Sequence, residues 1–106
     1  MYPKGYSLHM EIRKTEHFAR WMDRLKDPKA KAKVLVRISR LANGNPGDVK
    51  PVGKGVSETR IPYGPGYRVY FFQQGDHLII LLAGGSKKTQ SKDIQTAINL
   101  MENLKE

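Results

Sequence analysis

The chain has 106 residues and no cysteine, and its 19 lysines and arginines against 10 aspartates and glutamates leave a formal net charge of +9. That length suits one modest core and a single domain over residues 1–106, and the missing thiol excludes a disulfide scaffold, a cysteine nucleophile and Cys-based zinc or iron–sulfur sites. The longest apolar run, Leu78 to Ala83, has strand length rather than the roughly 20 residues of a membrane span, and MYPKGYSLHMEIRK has no apolar signal core, so a soluble cytoplasmic protein is expected.

Residues 8–12, LHMEI, alternate apolar and polar and read as a first strand. Thr15 is a plausible N-cap for a short amphipathic helix, TEHFARWMDRLKD, with Phe18, Met22 and Leu25 on one face. Asp27-Pro28 reads as a fresh cap with proline at the first helical position. The second helix, KAKAKVLVRISRLA, puts Leu35, Ile38 and Ala42 on one stripe, flanked by Val34 and Leu41, and Asn43-Gly44 ends it. The expected exposed side of this hairpin is basic, carrying Arg20, Arg24, Lys26, Lys29, Lys31, Lys33, Arg37 and Arg40. GNPGDVKPVGKGV reads as a loop with at most a short extended piece at Val49 to Val52.

Three strands follow: SETRIP, then GYRVYFFQQ after a Gly-Pro-Gly turn, then HLIILLA. The third is apolar on both alternating faces, as expected of a strand covered on both sides near the middle of a sheet. GGSKKTQSK reads as a polar loop, with Ser91 capping a last helix, DIQTAINLMENLKE, whose apolar stripe is Ile94, Ala97, Ile98, Met101 and Leu104. The fold class is α+β in the order β-α-α-β-β-β-α.

The charge favours a polyanionic partner, either nucleic acid or an acidic protein. Arg68 stands inside an apolar and aromatic strand. Alternation puts it on one face with Tyr70 and Phe72, and puts Tyr67, Val69 and Phe71 on the other. If the turn pairs the two strands closely, Arg60 projects beside Arg68, and the two like charges need an anion or carboxylates between them. Glu58 is one candidate counter-charge. Two readings of Arg68 stand side by side. In one it lies over Tyr70 or pairs with Glu58 as a purely structural group. In the other its planar fork grips a phosphate. Lys87 and Lys88 follow a Gly-Gly pair at a strand end, but GGSKKTQ lacks the GxxxxGK[ST] spacing of a P-loop.

His9, His17 and His77 have no metal-ligand spacing. Tyr63 and Tyr67 flank the turn and either stack on bases or brace the hairpin, and Trp21 either joins the core or marks a partner-binding edge. No carboxylate pair or Ser/His/Asp order stands out. A cluster of arginine, lysine and tyrosine on a sheet face suits RNA and stabilises the charge on a phosphate attacked by its neighbouring 2′-hydroxyl, a reaction that needs no metal or other cofactor.

The segments VGKGVSETRIPYGPGYRVYFF and LIILLAGGSKKTQSKDIQTA resemble the RelE/ParE toxin superfamily of bacterial toxin–antitoxin modules, in particular the HigB-like, phage-derived addiction module killer branch. The resemblance rests on a G-V-x-E-x-R-I run, a G-P-G-Y-R-V-Y-F hairpin and a G-G-x-K-x-x-Q-x-x-D-I-x-x-A segment, about half the chain. It implies a small, mostly antiparallel twisted sheet with the two N-terminal helices packed on one side. It implies ribosome-dependent cleavage of messenger RNA, with Arg68, Arg60 and Lys87 as catalytic residues and Lys88, Tyr67, Tyr70 and Glu58 around the substrate. For the general base, Lys88, Glu58 and Asp93 are candidates. The implied partner is an antitoxin encoded next to the toxin, commonly a helix-turn-helix protein. Two alternatives are a ParE-like toxin that poisons DNA gyrase and a non-catalytic module that binds nucleic acid or antitoxin.

Overall fold

A computed structural model of the protein describes residues 9–104. The order is β1 (Glu11–Lys14), α1 (Glu16–Arg24), α2 (Pro28–Ala42), β2 (Val49–Gly53), β3 (Val56–Ile61), β4 (Tyr67–Gln74), β5 (Leu78–Ser86), one 3₁₀ turn (Lys87–Thr89) and α3 (Gln90–Leu104). The five strands form one sheet in the order β1-β5-β4-β3-β2. β1 runs parallel to β5 and the other neighbours are antiparallel.

Both helix caps follow from local chemistry. The Thr15 hydroxyl accepts from Phe18 N–H at 3.0 Å and donates to the Leu82 carbonyl at 2.7 Å, so one side chain starts α1 and ties it to β5. The Asp27 carboxylate accepts from Lys29 N–H at 2.9 Å, with Pro28 opening α2. α1 and α2 cover one face of the sheet, where Phe18, Val34 and Leu41 meet Ile61, Val69, Phe71, Ile79 and Leu81. α3 covers the other face, where Ala97 and Met101 meet Val56, Tyr70, Leu82 and Ala83. β5 therefore is covered on both sides, as its apolar alternation requires.

Several expectations change. The first strand occupies Glu11–Lys14 rather than residues 8–12, and Leu8 lies outside the described residues. It is short because it pairs only with Leu78–Leu81 before Thr15 turns the chain into α1. The expected loop over residues 44–56 contains a full edge strand, β2, paired with β3. On α2 the buried stripe is Ala30, Val34 and Leu41 with Ala42, while Leu35 is 54% exposed. The buried face of the helix is thus rotated from the expected one toward Ala30 and Val34.

The expected loop after β5 is largely absent. Gly84, Gly85 and Ser86 continue the strand, and α3 begins at Gln90, ahead of Ser91. A Cβ at Gly84 would overlap the Trp21 indole, and one at Gly85 would overlap the Asp93 carboxylate. Only glycine lets both helices sit this close to the strand. A bulge controls which glycine meets which helix. Tyr70 pairs with Ala83 but Phe71 pairs with Leu81, so Leu82 is the extra residue. Leu82 and Ala83 consequently both join the α3 side, and Gly84 turns to α1.

Tyr63 donates its hydroxyl to Asp27 at 2.9 Å, with the Lys33 ammonium 5.3 Å from its ring centroid. Of its two expected roles, this is the brace. The Tyr63 bond is the largest influence holding the Asp27 carboxyl below its usual range. Backbone N–H groups of Lys29 and Ala30 and the Lys29 charge act in the same direction, and burial opposes them. The lowered folded value makes this contribution present above the ordinary carboxylate range and lost as pH falls through the folded value. In Tyr63→Phe the Asp27 pKa rises toward ordinary, stability drops at neutral pH, and the difference from the parent closes in strong acid. Carboxyl NMR titration and urea unfolding at the two extremes check this, and a stability gap that persists undiminished in acid would refute it. Gly84→Ala lowers stability by about 1–3 kcal/mol by overpacking against Trp21, and an unchanged melting temperature would contradict that packing.

Candidate functional site

Arg60 and Arg68 are direct cross-strand partners between β3 and β4. Two like charges so placed repel, and the chain separates them by giving each its own carboxylate. Arg60 turns outward, with Nε 3.2 Å from Asp48 Oδ2. Arg68 turns inward and is only 4% exposed, with Nε 3.7 Å from Glu58 Oε2. Its Nη1 donates to the Gly66 carbonyl at 2.7 Å. Gly66 has φ +78°, a left-handed turn conformation that suits glycine, and a Cβ there would press on the Arg68 guanidinium.

Glu58 is fully buried. Its Oε2 accepts the Tyr70 hydroxyl at 3.1 Å and the Gln90 amide at 2.8 Å. Arg68 Nε and Glu58 Oε1 have no hydrogen-bond partner among the described residues. Burial first, then the Glu58 charge and the hydrogen bond to it, push the Tyr70 hydroxyl far above its ordinary pKa. Tyr70 therefore stays a donor to Glu58 at any physiological pH. The Arg68 side chain does not lie over the Tyr70 ring in the manner of a cation–π contact; the ring's hydroxyl and the guanidinium both serve the same carboxylate.

A recess of about 330 Å³ opens at the hairpin end of the sheet. Arg60, Arg68 and Lys87 all line it, together with Tyr67, Gly66 and Asp48. Lys87 arrives there because its N–H reaches the Pro65 carbonyl at 3.4 Å, tying the end of β5 to the Gly-Pro-Gly turn. Of the residues anticipated around a substrate, Tyr67 lines this recess. Glu58 and Tyr70 do not, because they are buried on the α3 face, where they hold Arg68 instead. Lys88 is exposed on the 3₁₀ turn and does not line the recess. Among the histidines, His9 pairs with Asn43 at 3.0 Å, His77 sits exposed near Asp76, and neither lines the recess.

Three participants were missed at the level of sequence. Asp48 lay in an apparent loop, yet it is the carboxylate that meets Arg60. Arg37 read as part of the solvated face of α2, yet its Nη1 donates to Thr59 Oγ1 at 3.0 Å and to the Arg60 carbonyl at 2.6 Å. Gln90 is the polar residue of the G-G-x-K-x-x-Q run, and that position was the available signal for it.

The site is cationic and concave, with a guanidinium that cannot swing away. It suits a phosphate or another compact anion. Its geometry also predicts strong coupling between Glu58 and Arg68. Glu58→Gln leaves the Arg68 charge uncompensated and costs about 3–5 kcal/mol. Adding Arg68→Met to Glu58→Gln costs less than the sum of the two single changes. Chemical denaturation of the four proteins measures this, and simple additivity would show that the pair is not coupled.

A family model described as phage derived protein Gp49-like (DUF891) matches residues 20–105. An uncharacterized protein of Haemophilus influenzae is 48% identical over 95 residues, which is 90% of this chain and 96% of that protein. A chain of the toxin–antitoxin complex RelBE2 from Mycobacterium tuberculosis is similar in fold, with a TM-score of 0.58 at 20% identity, covering 74% of this chain and 99% of that one. With a family match running from α1 to the end of α3, the chain belongs to the phage-derived Gp49-like family, and it shares its fold with the chain of the RelBE2 complex.

Proposed function

We propose that this protein is the toxin of a bacterial type II toxin–antitoxin module, of the HigB-like kind, and that it cleaves messenger RNA on the ribosome without a metal. The observation that carries this reading is the recess lined at once by Arg60, Arg68 and Lys87. In this reading the scissile phosphate enters the recess. The adjacent 2′-hydroxyl attacks phosphorus, the bond to the 5′-oxygen breaks, and a 2′,3′-cyclic phosphate forms. The three cations stabilise the negative charge that builds on the phosphate oxygens. Arg68 does so with a fork already oriented by Glu58 and Gly66. Asp48 takes the 2′-hydroxyl proton, because it is the carboxylate lining the recess and Glu58 is sealed. The Lys87 ammonium protonates the leaving 5′-oxygen.

The partner is an antitoxin encoded beside the toxin, a helix-turn-helix protein with an acidic segment. The similar chain in RelBE2 belongs to a toxin–antitoxin complex, which supports this. The exposed surface of α2 offers Leu35 and Val36 among basic residues, a fit for an amphipathic acidic segment.

Induced expression in bacteria tests the function. The parent arrests growth and truncates transcripts. Lys87→Ala changes an exposed side chain, keeps the fold and lowers cleavage by about 10²–10³-fold. Arg68→Lys keeps the charge but loses the fork and has a similar effect. Growth arrest by the parent with intact transcripts and a DNA-damage response would replace this reading with gyrase poisoning. Equal cleavage by parent and both variants would remove the recess from the mechanism.

A further inference from the structure

A second recess, of about 460 Å³, lies against the far end of β5 between α1 and α3. β1 pairs only with Leu78–Leu81, so beyond that point the β5 edge faces this space rather than a strand. The lining wraps the edge of β5, where the Trp21 indole covers Gly84 from the α1 side and the Asp93 carboxylate covers Gly85 from the α3 side. One wall is aromatic. Trp21 and Tyr67 meet edge-on with ring centroids 6.2 Å apart. The opposite wall is polar. Thr89 donates its hydroxyl to Asp93 Oδ2 at 2.5 Å, which leaves Oδ1 to accept from a ligand. His17, Arg24 and Lys92 complete the rim.

Tyr67 lines both this recess and the one that holds Arg68. Consecutive residues divide between them: Pro65 and Ser86 line the second, Gly66 and Lys87 the first. A nucleotide joins its base to its phosphate through one ribose, so two adjacent recesses sharing one wall match its layout. The aromatic side chains Trp21 and Tyr67 in this lining offer a surface to a nucleobase, and base–aromatic stacking serves any base. The Asp93 carboxylate in the same lining adds discrimination, because an exocyclic amino group offers it two N–H donors where uracil offers a single imide N–H. Adenine, cytosine and guanine carry such an amino group; uracil does not.

We propose that the Trp21–Gly84–Gly85–Asp93 recess is a nucleobase subsite, seating the base next to the phosphate bound by Arg68 and selecting an amino-bearing base over uracil through Asp93. This inference rests on the proposed phosphate site, and the test separates the two. The protein has one tryptophan, so its single indole N–H signal reports on the base recess. The backbone amides of Gly66 and Lys87 report on the phosphate recess.

The experiment is an NMR titration of the isolated protein with ribose 5-phosphate and with each of the four nucleoside 3′-monophosphates. Ribose 5-phosphate is expected to move the Gly66 and Lys87 signals alone. The adenine, cytosine and guanine nucleotides also move the indole signal and bind about tenfold more tightly than the uracil nucleotide. Asp93→Asn removes that preference and leaves the ribose 5-phosphate titration as it was. Should Asp93→Asn fail to fold, Trp21→Leu serves, with the Gly84 and Ser86 amides as reporters; it weakens every nucleotide about tenfold and ribose 5-phosphate not at all. An indole signal unmoved by all four nucleotides, with equal affinities for them and for ribose 5-phosphate, overturns the base subsite and leaves the phosphate recess standing. No response at Gly66 and Lys87 to any ligand overturns both.

Discussion

The buried contact between Glu58 and Arg68 organises the rest of this molecule. Removing two charges from water is costly, and their attraction compensates only when further hydrogen bonds satisfy the remaining polar atoms. Here the donors come from separate elements: Tyr70 from β4 and Gln90 from the start of α3 converge on Glu58 Oε2, while Oε1 and Arg68 Nε have no hydrogen-bond partner among the described residues. The Gly66 carbonyl, in the turn before β4, takes one end of the guanidinium. The knot thus fixes where α3 begins, how β3 and β4 lie against it, and which edge of Arg68 faces the recess. An arginine free to rotate would lose orientational entropy each time it held an anion. This one has already been ordered by folding.

The division of labour between the two arginines follows from cross-strand repulsion. Side by side on β3 and β4, they share a register position but not an environment. Asp48, brought in by the edge strand β2, draws Arg60 outward, while Glu58 holds Arg68 inward. Arg37 from α2 reaches the Arg60 carbonyl and Thr59, bracing β3 from the opposite face. The recess between these groups is lined by three cations and one carboxylate, Asp48, because the second carboxylate, Glu58, is buried out of it.

One extra residue in β5 has consequences out of proportion to its size. Side chains alternate along a strand, so a bulge reverses the facing of everything beyond it. With Leu82 inserted, Gly84 meets Trp21 and Gly85 meets Asp93, and Lys87 follows at the hairpin turn. Were the alternation to run unbroken from Leu81 through Leu82 and Ala83, the two glycines would exchange faces and neither would meet the helix that now packs upon it. The same bulge therefore shapes both recesses, one at each side of Tyr67.

Much of this was legible in the linear chain because it depends on neighbours in sequence. Thr15, Asp27 and Pro28 cap helices through bonds spanning two or three residues. The apolar alternation of Leu78–Leu82 announced a strand covered twice, and Arg60, Arg68 and Lys87 stood out as charges where apolar strands and a glycine pair surround them. The Glu58–Arg68 pairing was among the readings the alternation allowed, though its burial was not. What remained hidden depends on contacts between distant segments. Val49–Gly53 has too weak a pattern to declare itself and becomes a strand only because β3 offers it an edge. Leu35 looked like core, yet packing turns Ala30 and Val34 inward and leaves Leu35 exposed. Gly84 and Gly85 read as loop residues, since nothing local says that Trp21 and Asp93 will cover them. Local chemistry determined the elements and marked the charges; only packing decided which carboxylate each arginine meets, because that choice is made across the sheet rather than along the chain.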